Sequence, residues 1–501
     1  MNIVEILNKN RIEYGEKVAF IEKNEEINYQ DFYKKVCQIA RNLRERQIEK
    51  GAQILVLIPL SIDLYATLCA IWMVGAQAVM FDPSAGKEHI MKCLAEMPVS
   101  GFIGTRKSLL LKWMNSSIRK IKNTVSVEQL FKSVSVETDI SICDAEEDMP
   151  ALITFTSGST GIPKAIVRTH GFLLKQHQVI RESMRYDQDD VDLAVLPVFT
   201  LVNLVEGITT VLPEDSLKDI ETIDAKKLTE QILRYGVTRI TASPKFLERI
   251  SDYARVSGIH FEKLRSVNIG GGPIFLDTLE KIFQVVNQEN VLLVYGSTEA
   301  EPIAELPAKD LSQGDIQKIQ EGKGLLAGKI VDSILLKIIR SKPGDTISSD
   351  ELESLIQPMG EPGEIIVTGE HVVKGYLNPE QNAVTKIADK QVWHRTGDLG
   401  YLDEEGRLWL LGRAGQELQI KGKVVYPFSI EGAIRGKYGT LSAIMKNEEE
   451  HILILEKSNE GQKIRAEYGE LFDRIIEIDQ IPMDRRHSSK VNYEKLRSVI
   501  K

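Results

Sequence analysis

Cysteine is scarce in this chain. Cys37, Cys69, Cys93 and Cys143 are its four thiols among 501 residues, widely separated, with no CxxC pair and no histidines at ligand spacing. That pattern speaks against structural zinc and fits a reduced, cytoplasmic setting. Concentrated positive charge is missing too: the net charge is −9 and no long basic run stands out. This argues against a general nucleic-acid or membrane-surface role and leaves local charge to serve small phosphorylated ligands. No basic end followed by a long apolar run opens the chain; MNIVEILNKNRIEYG has acidic residues and an amphipathic rhythm, so no signal peptide is expected. A transmembrane segment needs roughly 20 uninterrupted apolar residues. The most apolar stretch, 53–81, is broken by Pro59, Asp63, Gly75 and Gln77, and predicts the strand, helix and strand of a buried βαβ unit. Internal repeats and low-complexity tracts are absent as well.

What is present, 43% hydrophobic and 27% charged residues, is the composition of a soluble globular enzyme. The length exceeds what one hydrophobic core usually serves, so two or more domains are expected. Phe32, Val36, Ile39, Ala40 and Leu43 recur at helical spacing after a short hairpin, and Gly51 ends that unit. ILVLIP, AQAVMF and VSGFIG then alternate with amphipathic segments, as in a doubly wound α/β layer. Residues 105–149, ending CDAEEDMP, read as a polar, acidic surface connection. A second alternation from VDLAVLP through TRITAS and LRSVNIGGG to VLLVYG predicts a second α/β layer. From about residue 360 the runs GEIIVTG and GRLWLLGR predict antiparallel hairpins. The remainder, from about residue 414, mixes short strands with helices and is long enough for a small domain.

Between Thr154 and Lys164 the chain reads TFTSGSTGIPK. Gly158 and Gly161 permit positive φ and close backbone approach, and the hydroxyls of Thr154, Thr156, Ser157, Ser159 and Thr160 supply donors, as a phosphate-binding loop requires. Lys164 adds a point charge suited to polyphosphate. A Walker loop reads GxxxxGK followed by Ser or Thr; counting from Gly158 puts Pro163 at the second Gly and Ala165 at the hydroxyl. The flanks PALITF and AIVRTH are both β-prone, which predicts a strand-loop-strand hairpin. An isolated Ser-Thr-Gly would read as a flexible turn; the length of this loop and its terminal lysine favour function.

Two further motifs close predicted strands, where open α/β sheets bind ligands. NIGGGP, with Gly270, Gly271 and Gly272, would let a planar base lie against backbone, and equally suits a Gly-rich turn. YGSTE offers Glu299 after the Thr298 hydroxyl as a magnesium ligand, and equally suits a capped helix start. HRTGDLG precedes a hairpin whose turn is DEEG; Asp398 has the chemistry to accept two ribose hydroxyls, or is a turn aspartate. Arg413 ends that hairpin and could reach phosphate. PMDRRHSSK places Lys490 after a donor-rich loop that by itself reads as a solvated charge run.

Taken in order, TFTSGSTGIPK, YGSTE, HRTGDLG, GRAGQELQIKG and PMDRRHSSK resemble the adenylate-forming superfamily: acyl-CoA synthetases, adenylation domains of peptide synthetases, and luciferases. The resemblance runs over most of the chain, including ILVLIPLSIDLYATLCAIWMVGAQAVMFDPS and VVKGYLNPEQNAV. It implies an α/β fold: a large N-terminal domain, 1–412, with two doubly wound mixed sheets and a β-rich subdomain, and a small mobile α+β C-terminal domain, 413–501. It implies that a carboxylate attacks the α-phosphate of ATP, pyrophosphate leaves, and the acyl-adenylate passes to a thiol or other nucleophile. Thr156, Ser157, Gly158, Ser159, Thr160, Gly161 and Lys164 would hold the β- and γ-phosphates. Thr298 would contact the α-phosphate, Glu299 would bind Mg2+, and Gly271, Gly272 and Tyr295 would flank adenine. Asp398 would bind the ribose hydroxyls with help from Arg413. Phe199, Thr200, Leu201 and Gly296 would line the acyl pocket. Lys490 would neutralise charge building between carboxylate and α-phosphate, then leave as the small domain rotates.

Three departures qualify this picture. Gly415 stands where the family usually has a hinge Asp; glycine absorbs rotation more freely but loses a side-chain contact. PMDRRHSSK differs from the usual Pro-Lys-Thr-like run ending in Gly-Lys. In LPVFTLVNL, Thr200 follows Phe199 where acyl-CoA synthetases commonly carry His and amino-acid adenylation domains carry Asp. A buried ammonium needs a counter-charge, so an α-amino acid is disfavoured and an aliphatic acid favoured. Leu201, Val202, Leu204 and Val205 would suit such a tail, or pack as ordinary core. LPVFTLVNL, WHRTGDLGYLDEEGRLW and DRRHSSK look most like a branch with fatty-acid ligase relatives and olefin-pathway β-lactone synthetases. The expected function is therefore ATP-dependent activation of a carboxylic acid with CoA or a carrier thiol as acceptor. The alternatives are ring closure of a 3-hydroxy acid without CoA, and a non-catalytic nucleotide-binding regulator.

Overall fold

The computed structural model describes residues 1–81, 91–94, 97, 99–114, 116–131, 140–157, 163–484 and 490–500, with backbone alone for Met114, Ser116, Ser117, Thr156 and Ser157. The chain forms two compact units: Met1–Glu214 with Tyr235–Thr238 and Val373–Asn382, and Asp215–Arg234 with Arg239–Val372 and Ala383–Lys501.

The first unit contains a six-stranded sheet in the order Asn123–Ser126, Gly101–Gly104, Gln53–Leu57, Gln77–Met80, Pro150–Ser157, Pro163–Thr169. Five strands are parallel and the last is antiparallel. Alternate residues of Gln53–Leu57 feed different cores: Ile54 and Val56 pack with Phe32, Val36 and Trp72, whereas Leu55 and Leu57 pack with Phe102, Ile153 and Phe155. A parallel strand covered on both faces is apolar throughout, which is why ILVLIP has no polar partner positions. The βαβ unit predicted within 53–81 is Gln53–Leu57, Ile62–Met73 and Gln77–Met80. The expected helical face of Phe32, Val36, Ile39, Ala40 and Leu43 is buried on Tyr29–Glu45. That helix opens where the Asn28 side chain accepts from the Asp31 amide at 2.7 Å, an N-cap worth about 1 kcal/mol. Val191–Leu193, Thr209–Val211 and Val18–Glu22 run parallel in a second set, with Glu25–Asn28 antiparallel at its edge.

Residues 105–149 are more than a surface connection. Asn123–Ser126 pairs with Gly101–Gly104 at the sheet edge, and Ile118, Ile121, Val125 and Leu130 are buried. A four-residue strand reading NTVS carries too little apolar alternation to register in sequence.

In the second unit Arg239–Ala242, Ser266–Ile269 and Val291–Ser297 are parallel. The sheet then continues antiparallel through Ala300–Pro307, Leu325–Ile330, Arg407–Arg413, Val392–Leu402, Gly363–Thr368 and Leu335–Ile339. The hairpins expected after residue 360 lie in this part. A separate three-stranded sheet, Ser442–Asn447, Glu450–Glu456 and Arg474–Ile478, has Ile430, Ile434 and Ile464 packed with Ile444 and Leu453, while Ile481 and Leu496 pack with Ala443 and Ile452. Helix Pro427–Tyr438 lies close to the larger sheet's cover: a Cβ on Gly436 would meet Leu276 Cδ1 at 3.1 Å, and Arg435 Nε is 2.7 Å from Asp277. The protein is thus α/β with mixed sheets. Among the described residues no helix is long and apolar enough to cross a membrane.

On the same helix Glu431 is 5% exposed and accepts from the Tyr493 hydroxyl at 3.4 Å. Burial pushes its carboxyl up to about 7. The folded state therefore holds its proton more tightly than the unfolded chain, and stability from this group is complete below about pH 4, declines as pH rises, and levels off above neutrality. Glu431→Gln is expected to gain on the order of 1–2 kcal/mol over the parent at pH 8 and nothing near pH 4, read by urea unfolding at the two pH values.

Candidate functional site

In the first unit the expected hairpin is Pro150–Ser157 against Pro163–Thr169, with Phe155 opposite Ala165 and Thr156 opposite Lys164. Gly158, Ser159, Thr160 and Gly161 lie outside the described residues. The base of the hairpin is fixed by Arg168, whose Nη1 donates to Thr154 Oγ1 at 2.6 Å. Its outer strand is covered by the later segment Val373–Asn382. Ile166 bridges to Tyr376, the Leu377 amide donates to the Ala165 carbonyl at 2.9 Å, and Gln381 Nε2 donates to the Pro163 carbonyl at 2.9 Å. Lys164 Nζ sits 5.3 Å from the centroid of the Tyr376 ring, a cation-π placement that steadies the ammonium without neutralising it. Tyr376 went unmarked in the sequence because its role depends on a strap from elsewhere in the chain.

Phe199, Thr200 and Leu201 lie on helix Pro197–Glu206, opened by its N-terminal proline. They are 2%, 0% and 9% exposed. Leu201 and Leu204 join the large core of this unit, and Tyr65 donates to the Pro197 carbonyl at 3.1 Å, holding the start of the helix.

The second unit assembles the other residues around Asp398. Tyr295 donates its hydroxyl to Asp398 Oδ2 at 2.9 Å, and Arg413 Nη1 donates to Asp398 Oδ1 at 2.7 Å. Both donors come from strands: Tyr295 from Val291–Ser297, and Arg413 from directly opposite Asp398 in the predicted DEEG-turn hairpin. Thr396 adds a support that sequence reasoning missed. Its hydroxyl donates to the Ile365 carbonyl at 2.9 Å and accepts from the Asp398 amide at 3.0 Å. Burial, and then the charge of Asp398, push the Tyr295 phenol well above its usual range; the Asp398 carboxylate raises Arg413 in turn. Tyr295 therefore stays a donor at any working pH. Each Asp398 oxygen has one partner and keeps lone-pair capacity, so the carboxylate can still accept two hydroxyls.

Gly397 lets this cluster close. Its φ is +68°, and a Cβ there would come within 3.1 Å of Arg413 Nη2. Gly397→Ala is expected to lose about 1–2 kcal/mol from the left-handed backbone alone, read as a lowered thermal midpoint.

Thr298 and Glu299 form the turn between Val291–Ser297 and Ala300–Pro307, so YGSTE closes a hairpin and does not start a helix. A bulge falls at Gly296, where a Cβ would sit 3.0 Å from the Ala300 carbonyl oxygen; bulges re-aim the residues beside them. Glu299 is half-buried, and no cluster of three or more metal-ligating side chains occurs among the described residues. One carboxylate beside one hydroxyl suits Mg2+ that arrives with phosphate oxygens of its own. Gly271 has φ +82° with no atom within 4 Å of a Cβ position, leaving room over its backbone. Gly415, φ +85°, donates its amide to Glu417 Oε2 at 2.7 Å. Lys490 is exposed; its amide donates to Asp484 Oδ1 at 2.9 Å and its carbonyl accepts from the Asp484 amide at 2.8 Å. Residues 485–489 of PMDRRHSSK lie outside the described residues.

The fold and these motifs together define an adenylate-forming ligase, an enzyme that uses ATP to activate an acid. A family model described as AMP-binding enzyme matches residues 8–377, and the chain belongs to that family. It is 28% identical over 428 residues to an olefin beta-lactone synthetase of Xanthomonas campestris pv. campestris, covering 81% of this chain and 75% of that protein. It is 26% identical over 421 residues to the 2-succinylbenzoate-CoA ligase of Bacillus cytotoxicus, covering 83% and 79%. Its fold is that of the O-succinylbenzoate coenzyme A synthetase of Bacillus subtilis solved with ATP and magnesium, with a TM-score of 0.79 at 21% identity over 98% of this chain and 99% of that one.

Proposed function

We propose that this enzyme converts an aliphatic carboxylic acid to its acyl-adenylate and passes the acyl group to CoA or a carrier thiol. Thr200 carries the choice of acid: it is fully buried beside Phe199, where an ammonium-binding carboxylate would otherwise stand. Phe199, Thr200, Leu201 and Gly296 would bound the acid. Asp398 would accept the ribose hydroxyls, Tyr295, Gly271 and Gly272 would flank adenine, and Thr156, Ser157, Gly158, Ser159, Thr160, Gly161 and Lys164 would grip the β- and γ-phosphates. Thr298 would donate to the α-phosphate, and Glu299 would hold Mg2+, which supplies charge neutralisation on the phosphates. A carboxylate oxygen attacks the α-phosphorus while the bond to the β-phosphate oxygen breaks, and pyrophosphate leaves. Lys490 offsets the charge at that step. A thiolate then attacks the acyl carbonyl carbon and AMP departs with the carboxyl oxygen. We assign adenylation to residues 1–412, the lysine to a mobile domain of residues 413–501, and the pivot to Gly415. Cys37, Cys69, Cys93 and Cys143 form no disulfide, in accord with a cytoplasmic setting.

Pyrophosphate release across a panel of acids tests this reading. The expected result is activity with straight-chain acids, with kcat/KM rising about 3–4-fold per buried methylene, none with α-amino acids, and loss of release on chelating magnesium. Silence with every acid, or preference for an amino acid, overturns it. A second reading is supported by the likeness to the olefin beta-lactone synthetase: a 3-hydroxy acid whose own hydroxyl displaces AMP. Loss of water from a 3-hydroxy acid with ATP and without CoA, seen by mass spectrometry, would select it over thioester formation.

A further inference from the structure

The chain's net charge of −9 conceals a local reversal. Between Thr105 and Asn123 stand Arg106, Lys107, Lys112, Arg119, Lys120 and Lys122 with no aspartate or glutamate among them. The same stretch exposes two large apolar side chains, Trp113 at 78% and Leu110 at 58%. They are three residues apart on consecutive short helical segments, Ser108–Leu110 and Leu111–Met114, a spacing that brings side chains to one face. The other side of the stretch is anchored: Ile118 and Ile121 are 1% and 5% exposed and share a core with Phe102 and Ile153. Arg119 Nη2 donates to the Trp113 backbone carbonyl at 3.0 Å, tying a cation to the same short segment. Lys112 is turned inward to the Ile121 carbonyl and the Thr124 hydroxyl, at 3.3 and 3.2 Å. Arg106, Lys107, Lys120 and Lys122 are exposed.

We propose that this face of the first unit docks on an anionic lipid bilayer, with Trp113 and Leu110 entering the headgroup boundary and the surrounding lysines and arginines meeting lipid phosphates. An exposed indole and leucine in one stretch with exposed lysines and arginines match the two layers of a membrane interface, apolar below and anionic above. A soluble acidic partner would use the cations but gives no reason for both apolar tips to stand in water. The contact is local, so it coexists with an acidic chain whose other faces an anionic surface repels. It is also independent of which acid the enzyme activates.

Three of the four tryptophans, Trp72, Trp393 and Trp409, are 1%, 3% and 0% exposed, which makes intrinsic fluorescence a reporter on Trp113. The full chain is mixed with phosphatidylcholine vesicles, with or without a quarter phosphatidylglycerol, near about 0.1 M salt where screening is still partial. Co-sedimentation with the anionic vesicles alone is expected, falling as salt is raised, together with a blue shift in emission that Trp113→Phe removes. Each basic residue contributes about fivefold to partitioning, so the combined Lys107→Gln, Lys120→Gln, Lys122→Gln variant should bind about 10²-fold more weakly while its pyrophosphate release is unchanged. Absence of binding to anionic vesicles, binding undiminished in that variant, or no emission shift in the parent overturns the proposal. So does capture by polyglutamate at a salt concentration where anionic vesicles are not bound, which would assign the face to an acidic protein.

Discussion

Lys490→Ala should lower acid-dependent pyrophosphate release by about 10²–10³-fold, the effect of removing one pre-positioned charge from a transition state whose catalysis is mainly electrostatic. The backbone of Lys490 is pinned on both sides by Asp484, through hydrogen bonds of 2.9 and 2.8 Å, and Met483 bridges to Val491. Only the side chain is left to reach outward, so the substitution removes charge without loosening the fold. Thioester formation from preformed acyl-adenylate should survive largely intact, because the second half-reaction attacks a carbonyl carbon and has no pentavalent phosphate to neutralise. Measuring the two half-reactions separately on one preparation decides the matter. If both fall together, Lys490 does not have this role.

Glu364→Ala should cost about 3–5 kcal/mol, a large fraction of the stability of an ordinary domain. Glu364 and Arg395 are 3% and 4% exposed, and the guanidinium donates to both carboxylate oxygens, with Nη2 to Oε2 at 2.6 Å. Arg395 also donates to the carbonyls of Lys342, Asp345 and Val384 at 2.7, 2.6 and 3.1 Å. Removing the carboxylate leaves a cation buried among partial charges that cannot replace a full one. Urea unfolding should show the second unit melting at lower denaturant, and Glu364→Gln, which keeps the shape, should lose less. An unchanged midpoint in Glu364→Ala would mean that water or a neighbour replaces the lost charge at little cost. Because Arg395 and Thr396 immediately precede the Gly397–Asp398 pair, weakened nucleotide binding should accompany the loss of stability.

Within HRTGDLG the sequence discloses Asp398, whose chemistry is local to its motif, and conceals Arg395, whose carboxylate partner lies in the separate strand Gly363–Thr368. The same distinction runs through the molecule. The strand, helix and strand of 53–81 were legible because Pro59 and Gly75 punctuate apolar runs of the right lengths. The Thr154–Lys164 hairpin was legible because both flanks are β-prone. Asn123–Ser126 was not, being short, polar and dependent on its neighbour for its hydrogen bonds. Nor was the strap that carries Tyr376, since nothing in VVKGYLNPEQNAV says which strand it will cover. The support Thr396 gives Asp398 leaves no mark beyond an ordinary threonine in a strand. Residues that act through their own chemistry can be found by reading along the chain; those that act by holding others require knowledge of what lies beside them.

The strap also governs the order in which the polypeptide can be completed. Val373–Asn382 covers the outer side of Pro163–Thr169 through the Ile166–Tyr376 bridge and the Leu377 amide, yet it emerges from the ribosome long after the strand it protects. Until then the hairpin's outer backbone groups face solvent as an unpaired edge, the kind of surface that recruits other strands. A chain in which the strap failed to dock would keep that edge open permanently, exposed to pairing with strands of other copies.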